Sequence, residues 1–421
     1  MRLPRQIRLA LVLVGLHLGI FLVLRALFIG AFRDPASPVP GDVLARAAWI
    51  GTRFDVRLAI FLFLPFAIAA WIPALSPSRS PRVRLAWRVV LTALFGVTTF
   101  LYFVDFGHYA WLHERLNAAA VDYVLAWQIA VQTVWESYPV LWIFGGLGVL
   151  IAIYAWAIDR VALAPFVRDA GEPRVPGTQL ARAIGVVVIV FGVGAWGKAS
   201  AYPLRWSDAF FSTDPFAAAV GLNPILYVID SAVDWKSAYD EAATRKHYAR
   251  MSRLLEVDHP DEKTLTFARH LVPEKRFAKQ PNIVIVLMES FAALKVGRFG
   301  HTPALDPTPN FDALTRKSVF FTHFFVPRPP TARAIFTTLF SLPDVNPKRS
   351  ASRNPLIVHQ NTIVNSFEGY DKLYLLGGSA NWGEIRGMLS ANIPGLKLYE
   401  EGSYEAIPDD VWGINDLALL E

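Results

Sequence analysis

Apolar residues are spread unevenly along this chain. They gather into long, nearly unbroken runs before Ala201, whereas the stretch from about Tyr202 onward mixes polar and apolar positions as a water-soluble sequence does. Five runs are long and apolar enough to predict membrane-spanning helices: about Leu9 to Ile29, Leu58 to Leu75, Leu85 to Val104, Val140 to Ile158 and Leu180 to Ala201. The first follows Met1-Arg-Leu-Pro-Arg-Gln-Ile-Arg, a start like that of an export signal. Its apolar run is too long for one and no small-residue cleavage site follows cleanly, so it reads as a retained helix. The fifth is interrupted by Arg182 and Lys198 near its ends, where long cationic side chains can reach the interface.

Short basic loops set an orientation. Arg2, Arg5 and Arg8 precede the first helix, Arg79, Arg82, Arg84 and Arg88 follow the second, and Arg160, Arg168, Arg174 and Arg182 follow the fourth. With five spans all three fall on one side, which the positive-inside rule makes cytoplasmic. The loop between the first two helices breaks the pattern with Arg33, Arg46, Arg53 and Arg57. An odd number of spans places everything after Ala201 outside. Residues 202–280 then form a connector. Pro215 to Ala232 is apolar but broken by Gly221 and Pro224, which predicts an interfacial segment, and Asp234 to Leu255 is charged and helical in pattern.

Composition sharpens this picture in two ways. The formal net charge of +6 lies beside apolar segments and not in a basic cluster with interleaved aromatics, so it argues for a membrane and against nucleic acid. There is no cysteine, which excludes disulfides, thiolate metal sites and cysteine nucleophiles.

Chemistry concentrates in residues 281–421. Pro281-Asn-Ile-Val-Ile-Val-Leu-Met is a β-branched run that predicts a strand buried on both faces, ending in Glu289-Ser290 at the position where open α/β sheets place ligands. Thr308-Pro309-Asn310-Phe311-Asp312 reads as a helix start with Thr308 as its cap. Ser318 to Val326 is an aromatic strand pattern, and a proline-rich turn then delivers Thr331 to the start of an amphipathic helix, a place suited to hold a phosphate. Taken singly, each signal has a plainer structural reading: a loop acid, a helix cap, a helix-surface Arg333. Of the remaining histidines, His301 falls in a loop near Gly300, His323 alternates with aromatics, and His359 reads as a helix-face residue.

Taken together and in this order, Glu289-Ser290, Thr308-Pro-Asn-Phe-Asp-Ala-Leu314, the aromatic strand and Thr331-Ala-Arg333 before a helix ending Ser341-Leu-Pro343 resemble the sulfatase/alkaline-phosphatase superfamily. More narrowly they resemble its lipoteichoic acid synthase-like branch, membrane phosphoglycerol transferases with five membrane helices and an extracytoplasmic α/β catalytic domain. The resemblance implies that Glu289 and Thr331 ligate one divalent ion, manganese or magnesium, and that Thr331 is the nucleophile. It implies that Arg333, Trp382 and Arg386 hold substrate, and that Trp412-Gly413 is a structural landmark. It further implies a bacterial inner-membrane enzyme with its catalytic domain in the periplasm or cell exterior. Such an enzyme would move a phosphoglycerol headgroup from phosphatidylglycerol to a hydroxyl of a glycan or polymer.

Two departures qualify the likeness. Arg328-Pro329-Pro330 precedes the nucleophile position where the family has glycine and polar residues, and no Asp-His pair follows Trp412 to complete the metal site. The second departure yields the expectation of a chain truncated at its C-terminus and inactive as written. Two rivals differ in what they predict. A phosphoethanolamine transferase acting on lipid A or glycans would carry a different headgroup on Thr331, and a non-catalytic scaffold or sensor would carry none.

Overall fold

A computed structural model describes residues 3–120, 131, 135–136, 138–171, 175–233, 240–270, 279–299, 306–326, 328–344, 346, 349–410 and 412–420. The chain divides into two units, one formed by Met1–Trp235 with Ala332–Glu421 and the other by Lys236–Thr331.

The first unit opens with five long helices, α1 (Arg5–Phe32), α2 (Gly41–Ala69), α3 (Pro81–Leu112), α4 (Val140–Ile158) and α5 (Gly177–Trp196). Their ends carry local signals. The Ser80 hydroxyl accepts the Val83 N–H with Pro81 in the first turn of α3, and His113 closes that helix in the left-handed region at φ 55°. Gly197 ends α5 at φ 83°, its N–H on the Val193 carbonyl at 2.8 Å. Leu13, Phe63, Leu91, Phe95, Tyr154 and Ile158 form the main core between α1 and α4. Within it His17 is satisfied on both sides. Its Nδ1–H donates to the Leu13 carbonyl at 2.7 Å, and Nε2 accepts from the Tyr154 hydroxyl at 2.9 Å. In contrast, only Ala183 and Phe191 of α5 are buried, so most of its valines and isoleucines face outward, as in an apolar medium.

Four helices are long and apolar enough to cross a membrane, Arg5–Phe32, Pro81–Leu112, Val140–Gly171 and Gly177–Trp196. A fifth span is possible only if the bent pair at 215–232 counts as one. This is compatible with a membrane-anchored protein. The expected span from Leu58 to Leu75 differs from what forms, since α2 starts at Gly41 and ends at Ala69. Arg46, Arg53, Asp55 and Arg57 lie along it up to its seventeenth residue, so the apolar part left over is short. Tertiary partners take these charges up. Arg57 donates to the carbonyls of Ala195, Trp196 and Leu204, and Arg46 lies 4.6 Å over the Phe211 ring. The three basic loops do gather at one end, where Arg8 meets Asp169 at 3.1 Å and Arg84 grips Asp159 at 2.9 and 2.6 Å.

Residues 202–232 are built into this unit. Trp206 is fully buried, Asp208 holds Lys198 at 2.7 Å, and α6 (Pro215–Gly221) and α7 (Pro224–Ala232) meet at a 94° bend.

The second unit contains α8 (Glu241–Leu254), which falls within the stretch from Asp234 to Leu255 read as helical and is capped by Asp240, and α9 (Pro309–Thr315). Thr308 precedes α9 as expected but caps nothing with its side chain. Its hydroxyl accepts from Gly297 N–H at 2.9 Å and donates to Asp312 at 3.2 Å. The two expected strands are absent among the described residues. Residues 281–288 have no regular secondary structure and face solvent, with Val284 84% and Val286 73% exposed, and Phe324 in the aromatic run is 82% exposed. An extended apolar segment becomes a strand only when a neighbouring strand binds its N–H and C=O groups, and among the described residues the paired strands are Leu373–Leu375 and Lys397–Tyr399.

The remainder of the first unit holds α10 (Thr331–Phe340, entering the unit at Ala332), β1 (Leu373–Leu375), α11 (Ile385–Asn392) and β2 (Lys397–Tyr399). The strands pair in parallel, Tyr374 against Leu398, across a connection that contains α11. Among the described residues this pair carries the α/β character. Ile335, Phe336 and Leu339 of α10 pack on Ile385, Met388 and Leu389 of α11.

Candidate active site

Glu289 and Thr331 lie 42 positions apart in sequence and meet in space. Residues 289–290 form a turn in which Ser290 adopts φ 55°, and this turn presents the Glu289 carboxylate. Thr331 is the first residue of α10, directly after the Pro329–Pro330 pair, whose peptide bond is cis. The Thr331 hydroxyl donates to Glu289 Oε2 at 2.5 Å, and Ser290 Oγ donates to Oε1 at 3.3 Å. Both residues belong to the second unit, and Glu289 is exposed. A short hydrogen bond from an alcohol to a carboxylate aims the hydroxyl proton at a group able to take it, the arrangement an activated oxygen nucleophile needs.

The donor set bears on a metal. A carboxylate and an alcohol oxygen are hard ligands of the kind magnesium and manganese prefer, and in that respect the pair fits such an ion. Among the described residues no group of three or more His, Asp or Glu is placed to hold one.

The other expected substrate residues lie in the first unit. Arg333 is not at the helix surface. It is buried, its guanidinium reaching Asp344 Oδ1 and the Asp344 carbonyl, each at 3.2 Å, and the Asn346 carbonyl at 2.5 Å. It fixes the loop after α10. Arg386 is likewise engaged, with Nε 2.9 Å from Glu400 Oε1, a second contact from Nη2 to the same oxygen, and Nη1 2.9 Å from Asn381 Oδ1. Its guanidinium also lies 3.5 Å from Asp208. Trp382 lies edge-on to Trp412, ring centroids 6.5 Å apart. Trp412-Gly413 acts structurally, because Gly377-Gly378 passes so close that a side chain at Gly378 or Gly413 would strike the facing backbone. Within the first unit, Trp382, Arg386 and Trp412 are thus drawn together through their neighbours.

The histidines divide. His301 lies outside the described residues, His323 contacts Thr322 Oγ1 at 3.1 Å, and His359 sits in a left-handed turn at φ 58° and not on a helix face, 3.4 Å from Glu114. Sequence reasoning missed Glu384. It is buried beside Arg205 at 3.7 Å, and burial pushes its carboxyl up to about 7 against the pull of Arg205, Arg349 and Arg353. A glutamate between a tryptophan and an arginine gives no periodic signal of burial.

Residues 281–407 match the family model described as Sulfatase, so the chain carries a sulfatase-family domain over this stretch. The match runs through both units and includes Glu289, Thr331, Arg333, Trp382 and Arg386. No solved structure matches the chain.

Proposed function

We propose that the protein is a membrane-anchored phosphotransferase facing the periplasm or cell exterior, which takes a phosphoglycerol headgroup from phosphatidylglycerol and passes it to a hydroxyl of a glycan or polymer. A sulfatase-family domain supports a sulfatase-like hydrolase or transferase. The observation that carries the narrower reading is the 2.5 Å contact between Thr331 and Glu289. With threonine at the reacting position and no cysteine in the chain, a hydroxyl nucleophile toward phosphorus fits better than sulfate ester cleavage.

In this reading the Thr331 oxygen attacks phosphorus while its proton passes to Glu289. The bond from phosphorus to the diacylglycerol oxygen breaks, and that oxygen leaves with the proton from Glu289. An acceptor hydroxyl then attacks the phosphothreonine ester, gives its proton to Glu289, and Thr331 departs as the restored alcohol. A divalent cation held by these two side chains would neutralise the phosphate oxygens. Long apolar helices suit such a donor, because a lipid headgroup is met at the membrane surface.

Thr331→Ala is expected to end diacylglycerol release from phosphatidylglycerol vesicles while the protein stays folded. Mass analysis of trapped protein should find phosphoglycerol on Thr331; phosphoethanolamine there would change the donor, and undiminished release by Thr331→Ala would remove the nucleophile.

A further inference from the structure

We infer that Arg25 is a positioning residue. It holds the broken helix pair α6/α7 in place, and through that pair it fixes the mount for residues 355–391. Everything involved lies in the first unit. For the reaction the inference rests on the reading proposed above; for the geometry it stands alone.

Arg25 is buried on α1 and its hydrogen bonds run in two directions. Toward α2, Nε meets Asp55 Oδ2 at 2.9 Å, and Nη2 meets Asp55 Oδ1 at 2.7 Å and the Gly51 carbonyl at 2.9 Å. Toward the bend, Nη1 reaches the Leu222 carbonyl at 3.0 Å and also the Val220 carbonyl. Those two carbonyls lie at the C-terminal end of α6, just before the break to α7, where a helix end leaves acceptors without partners. Their surroundings are apolar, with Val220 packed among Phe28, Val39, Ala47 and Tyr109. Broken backbone in such a place is tolerated only when protein groups satisfy it.

Two neighbours are shaped to the same end. Asn223 donates to Asp55 Oδ1 at 2.8 Å and to the Tyr102 hydroxyl at 2.9 Å, while its own carbonyl oxygen receives the N–H groups of Ile225 and Leu226. Gly51 has no side chain, and a Cβ there would fall on the Arg25 guanidinium. The level is informative as well. At 1.5 Å per residue the helix from Arg5 to Arg25 is about 30 Å long, the thickness of a bilayer's hydrocarbon core. With the basic residues around Arg5 at one face, the clamp sits at the opposite edge.

Both arms of the bent pair then reach the same place. Tyr227 on α7 donates to the Pro355 carbonyl at 2.9 Å. Phe210, Ala218, Leu222 and Tyr227 form one apolar cluster against Ile357, Val358 and Ala391. The segment before α6 and the helix after the bend thus pack on the same residues. Arg25 fastens the bend. A lysine could keep the charge pair with Asp55 but lacks the second nitrogen arm that reaches the bend.

The test uses distances between paired spin labels in the full-length protein, at cysteines introduced into a chain that has none. Ala45→Cys with Ser366→Cys reports the mount, and Ala45→Cys with Val97→Cys reports the helices alone. Arg25→Met and Arg25→Lys should both lose the narrow distance peak of the first pair and keep that of the second. A narrow first peak in Arg25→Lys would mean that charge pairing suffices, and it would overturn the positioning role. If Arg25→Met does not fold, Gly51→Ala and Tyr227→Phe should broaden the first pair, and narrow peaks in both would overturn the inference equally. No substrate is needed, so the outcome is independent of whether Thr331 reacts.

Discussion

The Glu384 carboxylate lies 3.7 Å from the Arg205 guanidinium, yet its Oε2 has no hydrogen-bond partner among the described residues. Burial dominates over the nearby charge and raises the carboxyl from its ordinary value near 4.5 to about 7. The folded protein therefore keeps a proton that the unfolded chain gives up. Stability contributed by this group is whole below pH 4.5, falls as pH rises, and is spent above about 7. Glu384→Gln should flatten that slope and stabilise the protein at pH 8 by on the order of 3 kcal/mol. Melting temperatures in detergent from pH 5 to 8 check it.

Arg333 and Asp344 make a nearly dry ion pair at 3.2 Å. Arg333→Met should strand a buried carboxylate and cost about 3–5 kcal/mol. A denaturant titration measures this loss; a variant with parental stability and only weaker substrate binding would instead restore Arg333 to a phosphate-holding role.

Gly387 on α11 faces Trp206, whose ring carbons lie 2.7 Å from where a Cβ would stand. Alanine favours a helix over glycine by about 1 kcal/mol. Gly387→Ala should nevertheless lower the melting temperature, since overpacking costs about 1–3 kcal/mol where neighbours cannot yield. A rise in melting temperature would show that Trp206 moves freely.

Glu289→Gln keeps a side chain able to accept the Thr331 hydrogen bond but removes the proton acceptor. Diacylglycerol release should fall by about 10²–10⁴-fold, the usual contribution of a positioned base. The melting temperature should barely change, because the pair sits at the surface. Activity within tenfold of the parent would remove Glu289 from the reaction.

Much of the helical part was legible. The long apolar runs mark the helices, although α3 starts earlier, at Pro81, and α5 ends earlier, at Trp196, than those runs suggest, and the gathering of Arg8 and Arg84 with Asp169 and Asp159 follows from basic loops falling at one end. Where reading failed, partners distant in sequence decided the outcome. Arg57 of α2 read as a loop residue because its acceptors, the carbonyls of Ala195, Trp196 and Leu204, come about 140 positions later. Residues 202–232 read as a spacer because Trp206, Ala217 and Val220 are buried by shape and not in a periodic stripe. The β-branched run before Glu289 had the right local preference for a strand, but pairing is a property of neighbours. The Glu289–Thr331 pair was visible only through the order of motifs, since neither residue is distinctive alone.

Trp206 and Asp208 have a practical bearing on fragment expression. Cutting the gene anywhere between residues 232 and 281 to obtain a detergent-free catalytic piece would strip Trp206 from Gly387 and withdraw the Asp208 carboxylate from Arg386. Such a fragment would show a raw apolar patch on one helix, and its aggregation would report the missing cover and not a faulty domain.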